Sequence, residues 1–102
     1  ADILRSRIQL ARALYQAPDV ETLETQISQS PDNSAARYQL AAHYVAQGDF
    51  EPALQQLLTI VQHDRQFGGD AGRRGMLAVF SMLDEESPLL HQFRTSMFNA
   101  LH

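Results

Sequence analysis

A repeated spacing limits what this chain can fold into. In LAAHYVAQGDFEPALQQL, residues 40–57, the apolar side chains Leu40, Ala41, Tyr44, Phe50, Ala53 and Leu57 fall on two helical stretches joined by Gly48-Asp49. Ile8-Gln9-Leu10-Ala11, Tyr38-Gln39-Leu40-Ala41 and Gly75-Met76-Leu77-Ala78 align at offsets of 30 and 37 residues. The first offset carries on, with Ala17-Pro18-Asp19-Val20-Glu21 under Gln47-Gly48-Asp49-Phe50-Glu51 and Ile27 under Leu57. One such helix pair cannot bury both of its faces, so neighbours must stack on it, and a period of about 34 residues is that of a helical solenoid.

Helical spacing runs through the whole chain and strand alternation is absent. Six helices are predicted. The first covers about Asp2 to Gln16, with Leu4, Ile8, Ala11, Leu14 and Tyr15 inward, and stops at Pro18-Asp19. The second covers about Val20 to Gln29, with Val20, Leu23 and Ile27 inward. Pro31 stops it, and Asn33 or Ser34 caps the third, which runs to Gln47 before Gly48. Asp49 is placed to cap the fourth, about Phe50 to Asp64, with Pro52 in its first turn, where a missing N–H costs little. Asp70 is placed to cap the fifth, about Ala71 to Leu83. Ser87-Pro88 opens the last, which runs to about Leu101. The expected fold is all-α: a right-handed solenoid of three antiparallel helix pairs in a single domain, residues 1–102. Residues 1–30 and 66–102 form degenerate repeats around a better-matching one at 31–65. An unrelated six-helix bundle is the alternative.

The middle repeat fits the tetratricopeptide pattern, W-x2-L-G-x2-Y then A-x3-F then P. Leu40-Ala41 take the L-G places, Tyr44 the Y, Ala53 the A and Leu57 the F, and Pro31 stands where the preceding repeat ends. Arg37 replaces the large Trp. Small side chains at Ala41 and Ala53 let the two helices approach closely, with Tyr44, Phe50 and Leu57 filling the space between them.

Composition narrows the function. The chain is 44% hydrophobic and 20% charged, as in an ordinary globular domain. No apolar run approaches the ~20 residues of a membrane span. The first residues, ADILRSRIQLAR, scatter charges where a signal peptide would be apolar. The chain begins at Ala1 rather than Met, so a processed chain or an excised domain is expected. Net charge is −4, and the eight basic residues, all Arg, are dispersed apart from Arg73-Arg74, which argues against nucleic acid. With no Cys there is no disulfide, thiolate chemistry or Cys-ligated metal in these residues.

Nothing catalytic stands out. His43, His63, His91 and His102 have no metal-ligand spacing and read as surface residues. Asp84-Glu85-Glu86 reads as an exposed turn, and Glu21 with Glu24 as acids near a helix N-terminus. Gly68-Gly69-Asp70 reads as a capped loop rather than an anion cradle. No catalytic residue, cofactor site, metal site or small-molecule substrate is expected, and the chain is read as a non-enzyme.

Two surfaces remain. The first helix of the middle repeat would line a concave face with Ala35, Tyr38, Gln39, Ala42, Val45 and Ala46. These neutral residues do not make the Lys, Arg and Asn clamp that holds a partner's C-terminal carboxylate. The face either receives an apolar partner segment or packs on the chain's own first or last helix. In the last helix, Leu89, Leu90, Phe93, Met97, Ala100 and Leu101 span one arc at about 100° per residue, while Phe98 falls outside it, beyond Arg94. Phe98 is therefore either a partner contact or a ring laid across the neighbouring turn.

Residues 20 to 102 also resemble the C-terminal region of the bacterial thioredoxin-like chaperedoxins (YbbN/CnoX). The resemblance rests on Ala36-Arg37-Tyr38-Gln39-Leu40-Ala41, on Leu57-Leu58 through Asp64-Arg65, and on the Arg-rich start of the fifth helix before Leu77. It implies a cytoplasmic protein with a thioredoxin-fold domain upstream. That protein would hold unfolding clients and pass them to the chaperonin GroEL and the DnaK system. It also implies docking through the last helix, which maps to Phe93, Arg94, Met97, Phe98 and Leu101. An accessory domain of a thiol-disulfide oxidoreductase, selecting substrates or dimerising, and a generic repeat scaffold are the alternatives.

Overall fold

The computed structural model describes residues 2–102. Six helices follow one another: α1 (Asp2–Gln16), α2 (Val20–Gln29), α3 (Ser34–Gln47), α4 (Phe50–His63), α5 (Ala71–Phe80) and α6 (Pro88–Leu101), with no strand among the described residues. The chain is an all-α helical-repeat solenoid, as the spacing predicts.

Local chemistry sets most of the helix ends. Asp19 accepts from Thr22 N–H at 2.9 Å, and hydrogen bonding to Thr22 holds its carboxyl below the usual aspartate range. Asn33 accepts from Ala36 N–H at 3.0 Å and Ser87 Oγ from Leu90 N–H at 3.3 Å. α3 ends on Gly48, whose φ of 79° is the left-handed conformation that lets a chain turn out of a helix without a Cβ clash.

Two expected caps are absent as side-chain contacts. Asp49 occupies the position before α4 but makes no side-chain bond to the helix. Asp70, at φ 70°, turns its carboxylate to Arg73 Nε at 2.5 Å, because that cation competes for it against the neutral backbone donors. α4 stops at His63, with Asp64 as its C-cap. α5 stops at Phe80, three residues earlier than the apolar spacing suggests. Leu83 still packs against the core, but from a turn.

The α3–α4 pair is the centre of the molecule. Ala41 and Ala53 are wholly buried, and Leu54, Leu57, Ile60 and Val61 carry the core onward from α4. Each of these larger side chains contributes about 1.5–3 kcal/mol by leaving water. The pair is tied at its open end by Ser34 Oγ donating to Asp64 Oδ2 at 2.7 Å. Arg37, where the repeat pattern has Trp, reaches the Pro31 carbonyl and Gln56 Oε1 of α4, both at 2.9 Å. α2 packs on α3 through Leu23, Leu40 and Ala36. α5 and α6 both pack on α4.

The ends of the solenoid differ from its middle. α1 lies against α3 and α5 rather than along α2. Its inward residues are Ser6 and Leu10, with Ala13 and Leu14 partly buried beside them. Of the expected inward set only Leu14 packs there, while Leu4, Ile8, Ala11 and Tyr15 face outward. α1 carries two apolar stripes, and the one with Ser6 and Ala13 is small enough to sit close against two helices at once.

Candidate functional site

The concave face predicted on α3 is not free. Tyr38 and Ala42 are buried in one cluster with Leu10 of α1, and Val45 packs partly buried against the same core. Gln39 is half-buried, and only Ala35 and Ala46 are exposed. Of the two readings of this face, the internal one holds for most of it: α1 packs on α3 and helps to cover it, with Phe67 against Tyr38. Burial raises the Tyr38 phenol above its ordinary pKa, against a smaller opposing effect of the Arg74 guanidinium. The Phe67 ring lies 6.2 Å from that of Tyr38 at 58°.

α6 divides as its helical wheel predicts. Leu90 and Phe93 are buried; Leu89, Met97, Ala100 and Leu101 pack partly buried against the core. Phe93, expected among the contact residues, is only 2% exposed, so it anchors the helix and offers nothing to a partner. Arg94 is exposed, and Phe98 is 61% exposed. The Phe98 ring lies 4.4 Å from that of His102 at 38°. Arg65 Nη1 donates to the Leu101 carbonyl at 3.4 Å, placing a cation at the negative end of the helix.

Phe98 borders a groove of about 470 Å³ that α6 shares with the end of α5 and the start of α1. Leu77, Phe80, Leu83, Met97, Leu101 and Ile3 give its apolar lining, and Glu85 and Arg94 its charged members. Four of the five predicted contact residues therefore meet in one concavity: Arg94, Met97, Phe98 and Leu101. Ile3 is the member that sequence reasoning missed. It lies at the far end of the chain from α6, and no local spacing links the two. An apolar concavity edged by one exposed aromatic and one charge of each sign suits an apolar knob from another protein.

The remaining polar groups do not assemble chemistry. His63, His91 and His102 are exposed. His43 is half-buried, and its Nε2–H donates to the Pro18 carbonyl at 2.7 Å, tying the α1–α2 link to α3 rather than standing free on the surface. Asp84, Glu85 and Glu86 are exposed in their turn. Among the described residues no group of three or more His, Asp or Glu converges as a metal site, and no helix is long and apolar enough to cross a membrane.

The tetratricopeptide-repeat family model matches residues 13–102, from the last turn of α1 through α6. No curated protein and no solved structure matches the chain. With helix order, small-residue positions and family match in agreement, the chain belongs to the tetratricopeptide-repeat family.

Proposed function

We propose that this domain is a non-catalytic protein-interaction module that docks partners through the α6 groove. We further propose that it serves a cytoplasmic chaperone or co-chaperone that holds unfolding proteins and passes them to GroEL and the DnaK system. Tetratricopeptide repeats generally mediate contacts between proteins, which supports the first part. The single observation that carries the docking site is Phe98, a large aromatic left exposed at the edge of an apolar concavity. The chaperone assignment, with an upstream thioredoxin-fold domain in the same chain, rests on the resemblance of residues 20–102 to the chaperedoxins.

The test is titration of purified GroEL with the domain and with its Phe98→Ala variant. Aromatic anchors of this kind are worth about 2 kcal/mol, so the variant is expected to bind roughly 30-fold more weakly. Equal binding by the two would remove the α6 groove as the docking site. No binding by the wild-type domain, alone or in its full chain, would remove the chaperonin as partner. Deleting α6 is not a clean substitute, since Leu90 and Phe93 belong to the core.

A further inference from the structure

A second groove, of about 460 Å³, lies between α1 and α5, separate from the concavity at α6. It is lined by Arg5, Arg12 and Arg74, with Gln9, Ile8 and Asp2. Its charge is not a by-product of a basic protein. The chain carries −4, yet five of its eight arginines lie on α1 and α5 (Arg5, Arg7, Arg12, Arg73 and Arg74). The acids of these two helices and their caps are Asp2 and Asp70, and Asp70 is already bonded to Arg73. Gathering like charge on neighbouring helices raises the local potential and draws in anions.

Arg74 supplies an independent observation. Its Nη2 donates to Gln9 Oε1 at 2.6 Å, while its Nε–H is buried with no acceptor among the described residues. Nε and Nη2 point the same way from a guanidinium and form the two-donor fork that a carboxylate meets with two oxygens. Gln9 offers one oxygen to a two-donor fork. A buried donor without a partner is a standing cost, and a carboxylate taking the place of the Gln9 amide would satisfy both donors together.

We propose that the α1–α5 groove binds an acidic peptide segment of a partner protein, with one side-chain carboxylate forked on Arg74, further acidic residues near Arg5 and Arg12, and an apolar residue against Ile8. Ile8 is 45% exposed and lies on the turn of α1 between Arg5 and Arg12, so the groove offers apolar surface among its cations. A nucleic acid fits less well. Three cations with Asp2 among them make a short footprint, and a phosphate backbone leaving it would run onto the acidic remainder of the chain.

The experiment follows the Arg74 Nε–H resonance by NMR while the intact domain is titrated with EELEEL, acetylated and amidated so that only side-chain carboxylates are present. The resonance is expected to shift saturably, and added salt to weaken binding. Followed through the backbone amide shifts of α1 and α5, Arg74→Gln should lower affinity by about tenfold or more, and Arg12→Gln should lower it less. Arg65→Gln, outside the lining of the groove, should leave it unchanged. Gln9→Glu keeps Arg74 and places a carboxylate on the fork from within, so it should block the peptide while raising the melting temperature. The proposal is overturned by an unmoved Arg74 resonance at millimolar peptide, by equal losses in Arg65→Gln and Arg74→Gln, by undiminished binding to Gln9→Glu, or by equal binding of the glutamine counterpart QQLQQL. Inorganic phosphate shifting the resonance as strongly as the peptide would reassign the groove to free anions.

Discussion

The rings of Phe98 and His102 lie 4.4 Å apart on the outer side of the helix whose inner side buries Phe93. Two phenylalanines five residues apart thus do opposite work. Phe93→Ala is expected to cost about 3–5 kcal/mol by opening a core cavity. Phe98→Ala, at a residue 61% exposed, is expected to stay within about 0.5 kcal/mol of wild type. Urea denaturation of both variants measures this; a large loss in Phe98→Ala would place its ring in the fold rather than at a docking edge.

Gly72 sets how closely α5 approaches α4. A Cβ there would meet Ile60 Cγ2 at 2.9 Å and the Leu57 carbonyl oxygen at 3.2 Å. In an open helix, Gly to Ala gains about 1 kcal/mol of propensity. Overpacking a core costs about 1–3 kcal/mol, and a stiff β-branched neighbour with a backbone oxygen behind it leaves little room to yield. Gly72→Ala is therefore predicted to be destabilising by about 1 kcal/mol net. A raised denaturation midpoint would show that α5 can move away from α4 at no cost.

Tyr38 gives the fold an alkaline limit. Burial among α1, α3 and α5 raises its pKa above the ordinary 10.0, so the folded state favours the neutral phenol. The unfolded chain ionises first. The stability from the neutral ring is complete below the ordinary tyrosine pKa and is lost as pH rises toward and through the raised one. Melting temperatures recorded from about pH 8 to about pH 11 should fall. Tyr38→Phe should fall less steeply, keeping only the share due to Tyr44, whose phenol burial also raises. Parallel slopes for the two proteins would contradict this.

Much of this architecture is legible in the sequence, and what is not has physical causes. Helix starts are read well where a side chain caps the first N–H groups, at Asp19, Asn33 and Ser87. The end of α5 is not, because Leu83 keeps contact with the core after the backbone has left the helix. The inward face of α1 is misread because Leu4, Ile8 and Tyr15 are the bulkier stripe. The choice between stripes depends on the depth of the space between α3 and α5, which no periodicity in α1 encodes. The α6 contact residues follow from one helical wheel, but the groove needs Ile3 from the opposite end of the chain. The Arg74–Gln9 bond joins residues 65 positions apart, and the sequence shows only an arginine pair.

The docking surface is tested most directly by placing the photoreactive analogue benzoylphenylalanine at position 98 and, separately, at position 39, and illuminating each domain with purified GroEL. Position 98 keeps an aromatic ring at the α6 groove, and position 39 lies on the α3 face that α1 helps to cover. Strong crosslinking from position 98 with little from position 39 is the predicted result. Crosslinking from position 39 with none from position 98 would contradict the α6 groove and place docking on α3.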